Sequence, residues 1–85
     1  MNPYWTSEKK MATRNTIMEL SRKAMDKKAD PDRIQLALDL SSLAYDADLP
    51  QVLRGQLYTV WASSRCANRE LVNMTLQLIA NTITD

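Results

Sequence analysis

The sequence contains no histidine, and this absence removes several kinds of active site. Histidine is the commonest general base, and it completes Ser-His and Cys-His pairs and many zinc ligand sets. A glycine-rich phosphate-binding loop is excluded as well, because Gly55 is the single glycine. The single cysteine, Cys66, cannot form an internal disulfide or a thiolate metal site within one chain. The sequence therefore predicts a protein with no catalytic residue, no metal site and no cofactor.

Phenylalanine is also absent, and the scarcity of glycine and proline favours helices over β-hairpins. The abundant Ala, Leu, Met, Lys, Arg and Gln are good helix formers. No uninterrupted apolar run is long enough to cross a bilayer, and the first ten residues contain no apolar signal segment. We therefore expect no membrane contact and a cytoplasmic location, which a single cysteine fits.

Start and stop signals divide the chain into four helices. Thr6 or Ser7 can cap the first, Asp30-Pro31 opens the second, Pro50 opens the third and Asn68 can cap the fourth. These signals predict helices over 7–28, 31–45, 50–64 and 69–83, after an extended segment over 1–6. Connections this short join antiparallel neighbours. The expected fold is one compact all-α domain of 85 residues, with the broadly apolar helix 2 at its centre.

The last helix contains no charged residue from Leu71 to Thr84, and its apolar side chains form two stripes. We expect the fuller stripe to face the core: Val72, Leu76, Ile79 and Ile83. The second stripe predicts an oligomer interface, most simply that of a homodimer: Leu71, Met74 and Leu78. The alternative is that helix 2 covers this second stripe within one chain.

The third helix carries a stripe of residue types that are enriched in interface hot spots. Its members are spaced four, three and four apart and fall within roughly 60° on a helical wheel: Arg54, Tyr58, Trp61 and Arg65. We interpret the stripe as an anchor for a protein partner. The alternative is that Trp61 belongs to the edge of the core and the arginine stems cover the two rings. A second aromatic pair, Tyr4 and Trp5, is expected to fold back over the start of helix 1. The alternative is that the pair is exposed for a partner.

The basic residues near the N-terminus do not form one face. They are Lys9, Lys10, Arg14, Arg22, Lys23, Lys27 and Lys28. They are scattered around helix 1 among acidic residues, so we expect no nucleic-acid partner. Asp46 and Asp48 are interpreted as a solvated connector rather than a weak cation site. Cys66 is interpreted as an inert thiol at a helix junction rather than a reactive one.

These observations favour a small non-enzymatic protein–protein interaction module. It would act as an adaptor, inhibitor or chaperone-like regulator by presenting helix surfaces to a larger protein. The alternative is a helix-turn-helix DNA-binding transcriptional regulator formed by helices 2 and 3. That alternative is weaker because the turn contains no glycine and helix 3 offers only Arg54 and Arg65 as basic groups.

Overall fold

The computed structural model describes residues 2–26, 29–64 and 68–84, with side chains for all of these except 29–33 and 63–64. This part of the chain contains four α-helices and no strand. They are α1 (Ser7–Ala24), α2 (Ala29–Ala44), α3 (Gln51–Ser64) and α4 (Arg69–Thr82). The predicted all-α, four-helix fold is confirmed.

The helix boundaries differ from the predicted ones mainly around the first connection. α1 ends at Ala24 rather than at 28, because the N–H groups of Met25 and Asp26 turn back to the carbonyls of Arg22 and Lys23, at 3.1 and 3.0 Å. α2 begins at Ala29 rather than at 31. A proline in the first turn permits this, since an N–H there has no acceptor inside the helix. The other boundaries agree with the predicted ones to within one residue.

Two of the predicted N-caps are present and explain where their helices begin. The Thr6 hydroxyl accepts a hydrogen bond from the Lys9 N–H at 3.2 Å. The Asn68 side-chain oxygen accepts one from the Leu71 N–H at 3.1 Å. Each cap satisfies a backbone donor that the first turn leaves without a partner.

The helices pack as a ring in which each one contacts its two neighbours. α1 packs most extensively on α4, and α2 on α3, while α3 also meets α4 and α1 also meets α2. The body measures 39 × 19 × 17 Å. An 18-residue helix is about 27 Å long, so the helices run along the long axis. Within the described residues α2 has as many neighbouring helices as the others, so the contacts do not single it out as central.

The core lies along the axis of this ring and receives side chains from all four helices. Two small residues are fully buried, Ser21 on α1 and Ala80 on α4. The Ser21 hydroxyl donates to the Met18 carbonyl at 2.7 Å, so its burial leaves no polar atom unsatisfied. The largest fully buried apolar side chains are Ile17, Leu40, Leu49, Leu57 and Leu76.

Candidate interaction surfaces

The two stripes of α4 have opposite environments. The fuller stripe is buried, as predicted: Val72, Leu76, Ile79 and Ile83. The second stripe is 54%, 59% and 66% exposed at Leu71, Met74 and Leu78, respectively. α2 and α4 are not neighbours in the ring, since no Cα atoms of the two helices lie within 8 Å of each other in the described part of the chain. The alternative in which helix 2 covers the second stripe is therefore wrong, and three large apolar side chains stand on the surface of one helix.

A shallow groove runs beside this exposed stripe, between α3 and α4. Its lining is apolar or hydroxyl-bearing and holds no charge: Thr59, Val60, Leu71, Val72 and Thr75. The groove has a volume of about 130 Å³. A water molecule occupies about 30 Å³ in the liquid, so the groove has room for a side chain from outside.

The predicted partner-binding stripe of α3 is divided by the structure into an inner and an outer part. Trp61 is half-buried and packs against the core, as the alternative interpretation holds for that residue. Tyr58 is 48% exposed. Their ring centroids are 5.4 Å apart with the planes tilted by 45°, so Trp61 supports one side of the Tyr58 ring. Arg65 lies outside the described residues.

Arg54 stands at the beginning of the same stripe and is partly buried. Its Nε atom is buried and finds no hydrogen-bond partner among the described residues. Its positive charge is near the α2–α3 connector, where it adds to the causes that lower the pKa of Asp46. The larger causes are the backbone N–H of Asp48 and then the side chain of Lys9. Arg54 and Tyr58 therefore place a cation and an aromatic ring along one helix.

Sequence reasoning missed an exposed apolar row on α2. Ile34, Leu38 and Tyr45 are 65%, 57% and 71% exposed, and their spacing places them within about 40° on one side of the helix. The opposite side buries Leu36 and Leu40. The breadth of the apolar arc on α2 was the available signal, because a helix in a four-membered ring buries only one stripe.

The two residues of the N-terminal aromatic pair, Tyr4 and Trp5, have different environments. Trp5 is half-buried and packs against the core, where it closes the end of the bundle beside Leu53 and Ile83. The prediction that the pair folds back is confirmed for Trp5. It is wrong for Tyr4, which is exposed. Residues 2–5 form a turn in which the Trp5 N–H donates to the Asn2 carbonyl at 3.2 Å, so the segment before α1 is not extended throughout.

The two connector aspartates are engaged by their own chain. One Asp46 oxygen accepts the Asp48 N–H at 3.0 Å, and the other accepts the Lys9 ammonium at 3.0 Å. Among the described residues no three potential ligands come together in a way that could hold a metal ion. Asp46 is thus a structural residue of the connector.

The charged residues concentrate on α1, and they do not form a basic face. Arg14 and Arg22 border a shallow depression that also contains Glu19, and Lys9 is paired with Asp46. Lys27, Lys28 and Cys66 lie outside the described residues. No described helix has the length and apolarity that a bilayer crossing requires.

No protein-family model matches the chain, and neither a curated protein nor a solved structure matches it. The helices contrast in charge: α1 carries charged residues along its length, whereas α3 contains only Arg54 within Gln51–Ser64, and α4 contains none after Glu70.

Proposed function

We propose that the protein is a non-enzymatic interaction module that binds a larger protein through the outer surface of the α2–α3 hairpin. The observation that carries the proposal is a set of large side chains that are exposed by about half or more: Ile34, Leu38, Tyr45 and Tyr58. Monomeric soluble proteins rarely expose large contiguous apolar patches, and those that do commonly use them for binding. The module would serve as an adaptor, an inhibitor or a chaperone-like regulator in the cytoplasm.

Tyr58 is the proposed anchor of this surface. Trp61, itself packed on the core, holds the Tyr58 ring from one side at 5.4 Å. A ring fixed before binding loses little rotamer freedom when a partner covers it. Tyr, Trp and Arg are the residue types that most often dominate interface energetics.

Arg54 gives this surface a preference for one kind of partner. Its guanidinium is the one charged group contributed by α3 in the described part of the chain. A guanidinium binds a carboxylate strongly in a two-pronged geometry. The expected partner is therefore an apolar surface, most simply an amphipathic helix, with an acidic side chain placed opposite Arg54.

Affinity capture with matched tyrosine variants tests the proposal. Tyr58→Ala and Leu38→Gln should reduce capture of the partner from an extract of the native host by about tenfold or more, the size of a hot-spot loss. Tyr4→Ala removes an exposed tyrosine outside the hairpin and should retain the partner. Calorimetry with the captured protein and Arg54→Ala then measures the contribution of the cation.

Two results would count against this function. One is that both hairpin variants keep the circular dichroism of the wild type and retain every captured protein. The other is salt-sensitive retention of the wild type on random-sequence DNA, which would favour the DNA-binding alternative.

A further inference from the structure

The exposed stripe of α4 and the α3–α4 groove lie side by side on one face of the bundle. We infer that a second copy of this chain docks on this face. The stripe supplies the protruding side chains Leu71, Met74 and Leu78, and the groove opens between Thr59 on α3 and Thr75 on α4. Leu71 belongs to both, because it also forms one wall of the groove.

This arrangement is self-complementary. A two-fold axis makes the same patch meet itself, so every ridge on one copy needs a recess on the other. Here one face provides both a ridge and a recess next to each other. A two-fold rotation can seat the Met74–Leu78 ridge of each copy against the groove of its partner, which closes the assembly at two chains.

The scarcity of charge on this face fits a second copy better than a different protein; Glu70, exposed and one helical turn before Met74, borders the face at one end. A charged residue near a two-fold axis meets its own like charge, which costs several kcal/mol. From Leu71 to Thr84 there is no charged residue, and the groove lining has none. α1 has charged residues throughout, so this absence is local rather than a property of the whole chain. A partner of different sequence can be selected by complementary charges, which the stripe and the groove do not offer.

The area of the face is sufficient for a reversible dimer. A 14-residue helix is about 21 Å long, and two adjacent helices are about 20 Å wide. Such a strip covers about 420 Å², which is below the roughly 600–1,000 Å² that each partner buries in a stable interface and fits a weak, reversible dimer. Val52, 75% exposed on α3, adds a further apolar side chain to the surface of this helix.

The inference does not depend on the proposed function. The dimer face uses Thr59, Val60 and α4, whereas the hairpin surface uses Tyr58 and α2. Loss of partner capture and loss of dimerisation are separate measurements, so either proposal can fail alone.

Sedimentation equilibrium of the full chain, in reducing buffer so that Cys66 cannot link two copies, tests the inference. Two threonines give a matched pair of variants. Thr16 on α1 and Thr59 on α3 are both exposed, and each donates its hydroxyl to the carbonyl four residues earlier, at 2.9 and 3.0 Å. Thr59→Arg, and independently Met74→Glu, should raise the dimer dissociation constant about 100-fold or more. Thr16→Arg should leave it unchanged.

The inference is supported if the wild type and Thr16→Arg dimerise at micromolar concentration while Thr59→Arg and Met74→Glu are folded but monomeric. A wild type that stays monomeric into the high micromolar range overturns it. The inference is also overturned if Thr59→Arg and Met74→Glu are both folded by circular dichroism and still dimerise as the wild type does. Should one of these variants not fold, Met74→Gln, a neutral change at an exposed position, decides in its place.

Discussion

The Lys9 ammonium lies 3.0 Å from an Asp46 carboxylate oxygen and so joins the first turn of α1 to the α2–α3 connector. The Asn2 side chain adds a second link, since its amide donates to the Asp48 carbonyl at 2.7 Å. Together these contacts hold the connector against the N-terminal segment. The two charged side chains are 34% and 28% exposed, so water weakens the pair, and its contribution is that of a surface ion pair.

Asp46 should make the stability of the fold depend on pH in the acid range. The backbone N–H of Asp48, and then the side chain of Lys9, lower its pKa below the usual 3.8. A lowered folded-state pKa means that the stabilisation is complete above the unfolded-state pKa and is lost as the pH falls through the folded-state value. We expect wild type to exceed Asp46→Asn by up to about 1 kcal/mol at neutral pH.

Urea unfolding of both proteins over a series of pH values checks this expectation. The difference in unfolding free energy should be constant down to about pH 5 and should shrink below about pH 4, as carboxylates with lowered pKa values do. A double-mutant cycle with Lys9→Gln isolates the ion pair. A difference that grows on acidification would contradict the assignment.

Asn73 on α4 should stabilise the end of α1 by about 1–2 kcal/mol, the cost of leaving one buried acceptor unsatisfied. Its amide donates to the Ser21 carbonyl at 2.6 Å. That carbonyl is near the end of α1, where the Met25 N–H bonds to Arg22 instead. The Ser21 carbonyl therefore lacks the usual donor four residues later in its own helix, and Asn73→Ala removes the donor that α4 supplies instead.

Thermal and urea unfolding of Asn73→Ala and of a matched variant on the same helix measure this contribution. Asn81 is exposed, so Asn81→Ala should change the stability by less than about 0.5 kcal/mol. Equal losses for the two variants would show that the Asn73–Ser21 hydrogen bond contributes nothing particular.

Local signals in the sequence were sufficient for the helices and for much of the core. Capping residues such as Thr6 and Asn68 act within one turn, so their effect can be read without knowing the fold. The buried stripe of α4 was predicted for the same reason, because its periodicity is a local property. The end of α1 was not predicted, because the last turn of a helix depends on which of its carbonyls find hydrogen-bond donors. The Ser21 carbonyl finds its donor on α4.

The surfaces were less predictable because they depend on which helices become neighbours. Nothing local shows that α2 and α4 are not neighbours in the ring, so the sequence of each helix alone does not show that Leu38 and Met74 are exposed. Trp61 illustrates the same point. Its place on the Arg54–Tyr58 stripe was evident from spacing, whereas its packing against the core follows from the position of α3 between α2 and α4.

Trp5→Ala should destabilise the protein by about 2 kcal/mol, because a half-buried indole covers roughly 100 Å² of apolar surface at the end of the bundle. The adjacent Tyr4→Ala is the control, since Tyr4 is exposed and its loss should cost less than about 0.5 kcal/mol. Urea unfolding followed by tryptophan fluorescence in wild type and Tyr4→Ala, and by circular dichroism in all three proteins, compares them. Equal stabilities of the two variants would mean that Trp5 does not close the bundle.

Gly55→Ala should stabilise the monomer by about 0.5–1 kcal/mol. Gly55 is exposed in the middle of α3, and a Cβ atom there would meet nothing within 4 Å. Glycine inside a helix costs this amount because it loses more backbone entropy on folding than alanine does. The reverse change on the same helix, Ala62→Gly at another exposed position, should cost a similar amount. Both are measured by urea unfolding at a protein concentration at which the wild type is monomeric. A destabilised Gly55→Ala under those conditions would contradict the prediction.

The same variant also bears on the dimer. If the gain in unfolding free energy disappears only at high protein concentration, the second copy approaches α3 closely at Gly55, because a methyl group there obstructs the dimer while it still favours the helix.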